Sequence, residues 1–192
     1  MTDLTRKSPS PVTFGRNDAS PAWSPDEKYL LLGRTGRMTL FALDGSQEQI
    51  PVGTQKGRSG QGRISPNGKF IAFSSNESGR DEIYVQPTPP ANGYQKVSVN
   101  GGHSPRWRSD GKELFFVSPD AEMMAVDIKL DPVFFAGVPH RLFPFKSAPI
   151  DLGNYDVRPD GKQFLIFMRQ GGTQDAPITV VLNWWAELRQ EP

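Results

Sequence analysis

The sequence predicts an all-β fold assembled from four repeats, and three observations predict it: a recurring turn phrase, an apolar run behind each copy, and a regular spacing. The phrase reads Trp23-Ser24-Pro25-Asp26-Glu27-Lys28-Tyr29-Leu30, Ile64-Ser65-Pro66-Asn67-Gly68-Lys69-Phe70-Ile71, Trp107-Arg108-Ser109-Asp110-Gly111-Lys112-Glu113-Leu114 and Val157-Arg158-Pro159-Asp160-Gly161-Lys162-Gln163-Phe164. Its Asp or Asn recurs at intervals of roughly 40 to 50 residues, the period of propeller blades.

Each copy has the composition of a tight turn. Ser bonds nearby backbone, Pro presets the second position, and Gly takes the left-handed conformation that closes a hairpin. A short strand therefore ends at Trp23, Ile64, Trp107 or Val157. The strand that follows is continuously apolar, as in Tyr29-Leu30-Leu31-Leu32 or Leu114-Phe115-Phe116-Val117, which predicts burial on both faces. Third strands are predicted at 38–43, 82–86, 123–128 and 178–183, and fourth strands at 49–52, 95–99 and 141–145. Four strands per repeat is the blade pattern.

The fourth repeat stops after its third strand, because Trp184 to Pro192 is too short and polar to supply another. Pro11-Val12-Thr13-Phe14 precedes the first repeat as an orphan strand. The expected topology is a propeller of about four blades of four-stranded antiparallel sheets, latched when this N-terminal strand completes the last blade and removes its open edge. An open arc, a partial propeller or a dimer of arcs is the alternative, and an open ring would permit self-association. No linker divides the chain, so 1–192 reads as one domain with repeats at about 15–53, 54–100, 101–148 and 149–184. The Pro-rich stretch from Asp131 to Gly153 reads as a surface excursion of the third blade.

Composition narrows the partners. With 22 Lys and Arg against 21 Asp and Glu, the chain lacks the positive field of a protein that neutralises phosphates, so no nucleic acid is expected. The absence of Cys excludes thiol catalysis, thiolate metal sites and disulfides, and leaves the compartment open. No apolar stretch approaches the roughly 20 residues of a membrane helix, and the polar N-terminus has no signal core. The expectation is a chain that neither inserts into a membrane nor addresses itself for export.

The Ser-Pro-Asp-Gly-Lys phrases resemble the repeats of TolB-type, WD-like bacterial β-propellers over essentially Pro11 to Arg189. The stretches 75–87, 105–115 and 177–184 resemble the C-terminal propeller end of bacterial membrane-bound serine/threonine kinases and winged-helix regulators, where such propellers stand as sensor domains. That resemblance implies a fragment of a larger protein, with a periplasmic or extracytoplasmic site if the parent is a membrane-bound sensor. It departs from the pattern in having four blades, fewer than usual, and nothing of a kinase: no glycine-rich phosphate loop, catalytic loop or Asp-Phe-Gly.

Catalytic constellations are incomplete. Gly57-Arg58-Ser59-Gly60-Gln61 has Gln where a nucleophile elbow needs its second Gly. His103 and His140 lack the close-spaced partner of a zinc motif, so no metal or cofactor is expected. Among carboxylates that could serve glycoside chemistry, Asp18, Asp81, Glu82 and Asp156 are available. Asp81 and Glu82 read as solvated charge in a turn, and Asp156 stands on an inner strand. Asn76-Glu77-Ser78 matches a glycosylation sequon but reads as a loop.

Three residues before the Trp/Ile/Val slot stand Ser20, Gln61, Ser104 and Asn154, polar in every repeat. If the strand before the turn is innermost, these residues line the central channel, and neighbouring positions add Arg63, Arg106, Asp156 and His103. Such a convergent ring suits ligand binding, although it also suits a water-filled axis. The expectation is a non-catalytic binding or sensor module for a protein or peptide, or alternatively a small ligand; the rival is the propeller part of a peptidase-like or glycosidase-like enzyme.

Overall fold

The computed structural model describes residues 18–46, 48–53, 56–91, 93–144, 155–166 and 179–182. They form four antiparallel meanders and, among the described residues, no helix. The first sheet holds β1 (Asp18–Trp23), β2 (Tyr29–Arg34), β3 (Arg37–Ala42) and β4 (Gln49–Val52), and the second β5 (Ser59–Ile64), β6 (Phe70–Ser75), β7 (Glu82–Pro87) and β8 (Gln95–Lys96). The third holds β9 (His103–Trp107), β10 (Glu113–Val117) and β11 (Glu122–Lys129), with β12 (Phe135–Ala136) and β13 (His140–Pro144) both paired to β11. The fourth holds β14 (Tyr155–Val157), β15 (Gln163–Ile166) and β16 (Thr179–Leu182). Each sheet is one blade in chain order, and β5 lies against both β1 and β9. The strand before each turn is therefore the inner one. Four open sheets arranged this way form a propeller or an arc of one.

The turns close as their composition requires. The backbone N–H of Glu27, Gly68, Gly111 and Gly161 donates to the carbonyl of Ser24, Ser65, Arg108 and Arg158 at 2.8–2.9 Å. All four donors have left-handed backbone, with φ of 57°, 75°, 71° and 74°. Asp26, Asn67, Asp110 and Asp160 each accept the N–H of the Lys two residues on. The repeats then divide. Ser24 and Ser65 Oγ accept the N–H of Tyr29 and Phe70, whereas Arg108 and Arg158 occupy that place in blades 3 and 4 and reach across the hairpin to Glu113 and Gln163. The first pair closes by a hydroxyl, the second by a charged fork.

Among the described residues, three seams hold the apolar clusters. Leu31, Met38, Leu40 and Val52 of blade 1 meet Ile71, Phe73 and Tyr84 of blade 2. Ala72, Ile83 and Val85 meet Leu114, Phe116 and Val126, and Phe115, Met123 and Phe143 meet Tyr155, Phe164 and Ile166. The apolar runs are buried on both faces because alternate residues serve opposite seams: Phe115 packs toward blade 4 while Phe116 packs toward blade 2.

Two expectations change in detail. The fourth strand of blade 2 is shorter than 95–99, pairing as β8 alone. The excursion after Asp131 is partly structured, since β12 extends the ladder at the far end of β11. The latch Pro11–Phe14, the residues beyond Pro144 in the excursion and the pair Trp184–Trp185 lie outside the described residues.

Candidate functional site

The inner strands bulge at a common place. Register shifts fall between Ala19 and Ala22 in β1, between Gly60 and Arg63 in β5, and in β9 opposite the span from Phe115 to Val117. The position three before the slot sits in this bulge, and Gln61 and Ser104 both adopt φ of 57° there. A bulge re-aims its side chain, and the consequence is a tie between blades. Gln61 Oε1 accepts the backbone N–H of Ser104 at 2.8 Å and the hydroxyl of Ser74 at 3.0 Å. Ser104 is fully buried, its carbonyl accepts the Tyr155 hydroxyl at 2.7 Å, and its Oγ lies 3.1 Å from His103 Nδ1. Hydrogen bonds thus run from blade 2 through blade 3 into blade 4, and Ser104 belongs to the seam rather than to an open wall. Ser20 occupies the equivalent bulge of β1, with its side chain outside the described residues, as is Asn154.

The position one before the slot behaves differently. Arg63 and Arg106 are half-buried on adjacent inner strands and make the same local bond, Nη1 donating to the carbonyl of the preceding residue, Gly62 at 2.8 Å and Pro105 at 2.9 Å. The Arg106 guanidinium lies 5.2 Å from the centroid of the Tyr155 ring, within cation–π range. Trp107 Nε1 donates to the Arg63 carbonyl at 2.9 Å, which fixes the blade 2 strand carrying that arginine. Asp156 is exposed beside them, its Oδ1 accepting the N–H of Val157 at 2.9 Å.

The electrostatics follow from this crowding. Burial, then the neighbouring Arg106, lowers the Arg63 guanidinium to about 10, against the opposite pull of Tyr155 and Asp156. It remains charged at neutral pH, at a cost that an anion would relieve. Burial also raises the Tyr155 phenol, with Arg106 and Arg63 opposing, so the hydroxyl stays a donor. Burial lowers His103, and Asp81 works the other way.

The reading of Glu82 as solvated charge is corrected. Its side chain is 1% exposed, bound by Arg80 Nε at 2.8 Å, the Gly101 N–H at 2.9 Å and the Ser98 hydroxyl, with Lys96 at 3.7 Å. Burial alone would raise this carboxyl; the hydrogen bonds of Ser98, Arg80 and Gly101 and the charge of Lys96 outweigh it and hold it below its ordinary value. Asp81 is exposed as expected. The Ser59 hydroxyl of the elbow-like stretch is buried without a hydrogen-bond partner among the described residues. Among the described residues, no group of three or more His, Asp or Glu is placed to hold a metal ion. His140 is exposed on β13.

Sequence reasoning missed Tyr155. Its repeat position holds Pro21, Gly62 and Pro105 elsewhere, so an aromatic there was a visible departure.

This architecture defines the chain as a β-propeller module. No family model matches it. Among solved structures it is similar to a protein of Agrobacterium tumefaciens assigned as TolB, 26% identical with a TM-score of 0.64 over 86% of this chain and 58% of that one. TolB of Acinetobacter baumannii shares the fold at 17% identity and a TM-score of 0.65, over 85% of this chain and 40% of the other. A curated relative, an uncharacterized protein of Agrobacterium fabrum (strain C58), is 31% identical over 100 residues, covering 50% of this chain and 34% of the relative. The chain thus spans about a third of that relative and little more than half of the first solved structure. The fold alone is shared with enzymes too, for example an oligogalacturonate lyase at 15% identity and a TM-score of 0.63, over 88% of this chain and 50% of the lyase. The chain is thus a β-propeller similar in fold to these TolB structures.

Proposed function

We propose that the chain is a non-catalytic binding or sensor module that recognises a protein or peptide at the axial edge of its inner strands, through Arg63, Arg106 and Asp156 with His103 at the strand entrance. The observation that carries this reading is the pair of arginines on adjacent strands, each held by its own strand's carbonyl and one stacked on Tyr155. Two like charges kept side by side disfavour each other, and a carboxylate of a partner relieves that repulsion. Asp156 beside them gives the surface both signs, as a peptide with mixed charge requires. The partial coverage of the similar proteins and the resemblance to sensor propellers of membrane-bound kinases and winged-helix regulators support a module of a larger protein, working outside the cytoplasm where the parent is a membrane-bound sensor.

A peptide and metabolite screen by thermal shift, run beside a broad hydrolase panel, tests this reading. The expected result is a saturable ligand without turnover. Hydrolysis that disappears on Asp156→Asn would replace it with the enzyme reading.

A further inference from the structure

A cleft of ≈ 720 Å3 opens at the turn end of blade 3, where β10 begins and β11 ends. One wall is the turn that carries Arg108 and Glu113, another is Asp127 and Lys129 at the end of β11, and a third is Leu130 and Phe135 of the excursion.

The walls are fixed to one another. The Ile128 N–H donates to the Lys112 carbonyl at 2.8 Å, and the Gly137 N–H to the Asp127 carbonyl at 2.9 Å. Gly111 lets Leu130 lie against the turn, since a Cβ there would meet Leu130 Cδ1 at 2.4 Å. The excursion is also anchored to blade 2, with the Phe134 and Phe70 ring centroids 5.1 Å apart and Lys69 Nζ donating to Asp131 Oδ1 at 2.7 Å.

The charges in this cleft are unevenly matched. Arg108 is gripped by Asp110, Nε donating to Oδ1 at 2.7 Å and Nη2 to Oδ2 at 2.9 Å, while its Nη1 donates to Glu113. Asp127 stands directly across the ladder from Glu113, an arrangement in which like charges repel. Arg108 serves Glu113 alone. Asp127 is exposed, and among the described residues its carboxylate has no hydrogen bond or ion pair. On its other flank stands Gly137, whose Cβ, if it had one, would lie 3.6 Å from Asp127 Cβ, so that position contributes no side chain to cover the carboxylate. Lys129, two residues on and so on the same face, holds Nζ 5.9 Å from the centroid of the Phe135 ring. That ring is 56% exposed, and Val133 and Val138 of the same excursion are more exposed still. Large apolar side chains grouped in water mark contact surfaces.

We propose that this cleft docks an arginine-bearing segment of a protein partner, its guanidinium set against the Asp127 carboxylate and its apolar side chains against Phe135. Charge complementarity selects the occupant. An incoming guanidinium does for Asp127 what Arg108 does for Glu113, and a planar fork matches a carboxylate better than an ammonium does. The cleft is separate from the axial arginines and opposite to them in the charge it seeks, so the two sites can fail independently.

The test is fluorescence anisotropy of a labelled hexapeptide of alternating Arg and Leu, titrated with the full chain beside its Lys and Leu analogue. Saturable binding that weakens with added salt is expected, about threefold or more tighter than that of the Lys analogue. Asp127→Asn should weaken the Arg peptide about fivefold, at a melting temperature unchanged or raised because one of two opposed charges is gone. Phe135→Ala should also weaken it about fivefold, and Asp120→Asn, an exposed carboxylate at the other end of the blade, should leave it unchanged. Absence of saturable binding overturns the proposal, as does equal weakening by Asp120→Asn, which would report only the overall charge. Loss in Asp156→Asn without loss in Asp127→Asn would move the peptide to the axis and overturn it. Equal affinity for the Lys analogue would overturn the arginine assignment, and loss in Phe135→Ala with none in Asp127→Asn would overturn the role of the carboxylate.

Discussion

Two polar rows run along the inner strands, one three residues before the slot and one a single residue before it, and they do different work. Gln61 and Ser104 of the first row are turned by bulges into the seams, where Gln61 accepts the Ser104 N–H of the next blade and the Ser104 carbonyl accepts the Tyr155 hydroxyl of the blade after it. Arg63, Arg106 and Asp156 of the second row keep charge at the axial edge. A side chain's polarity therefore does not identify a binding residue in this fold. What separates the rows is whether the backbone geometry hands the polar group to another blade or leaves it at the axis.

The largest expected effect lies off the axis, at a buried carboxylate whose partners come from its own blade and the segment that follows it. Glu82→Ala should destabilise by about 3 to 5 kcal/mol, because Arg80, Lys96, the Ser98 hydroxyl and the Gly101 N–H lose a buried acceptor. The sign of its pH dependence is fixed. A carboxyl whose folded value lies below the ordinary 4.5 stabilises above that value, and the contribution is lost as pH falls through the folded value. Denaturation midpoints measured from pH 6 to pH 3 should fall steeply in the parent chain and less steeply in Glu82→Gln.

The position between the rows offers a smaller effect. A Cβ on Gly62 would come within 2.7 Å of Leu31 Cδ2 and 2.8 Å of Met38 Sδ, so Gly62→Val should cost about 1 to 3 kcal/mol by overpacking the first seam. Urea unfolding would check this, and a neutral result would mean that the inner strand is not pressed against blade 1. The smallest effect is a gain. Glu27 holds the left-handed place that glycine fills in the other three turns, and Glu27→Gly should raise stability by roughly 1 kcal/mol, read as a higher melting temperature.

Much of this fold was legible because turn chemistry is local. The Asp or Asn, the left-handed fourth residue and the apolar run after it lie within eight residues, so the blade, its order and its inner strand could be read directly. The division of the turns into a Ser pair and an Arg pair was also written in the sequence, as Ser with Tyr29 or Phe70 against Arg with Glu113 or Gln163, although only the cross-hairpin contacts give it meaning. The site was less legible. Polarity three residues before every slot suggested a lined channel, whereas the bulges that turn Gln61 and Ser104 into the seams depend on pairing between strands and cannot be seen in a single strand's residues. The burial of Glu82 arises from Ser98 and Gly101, which the chain brings back only after β8, and its place at the start of an apolar strand was the one local hint.

The measurement that tests the central claim most directly pairs stability with affinity in the two rows, using the best peptide or metabolite from the thermal-shift screen. Gln61→Ala should lower stability by about 1 to 3 kcal/mol, since the Ser104 N–H loses its acceptor, and leave affinity within about twofold of the parent. Arg63→Ala/Arg106→Ala should change stability by about 1 kcal/mol or less and weaken the ligand by about tenfold or more. The reverse pattern, affinity lost with Gln61 and retained without the arginines, would contradict the account and return the binding surface to the bulge row.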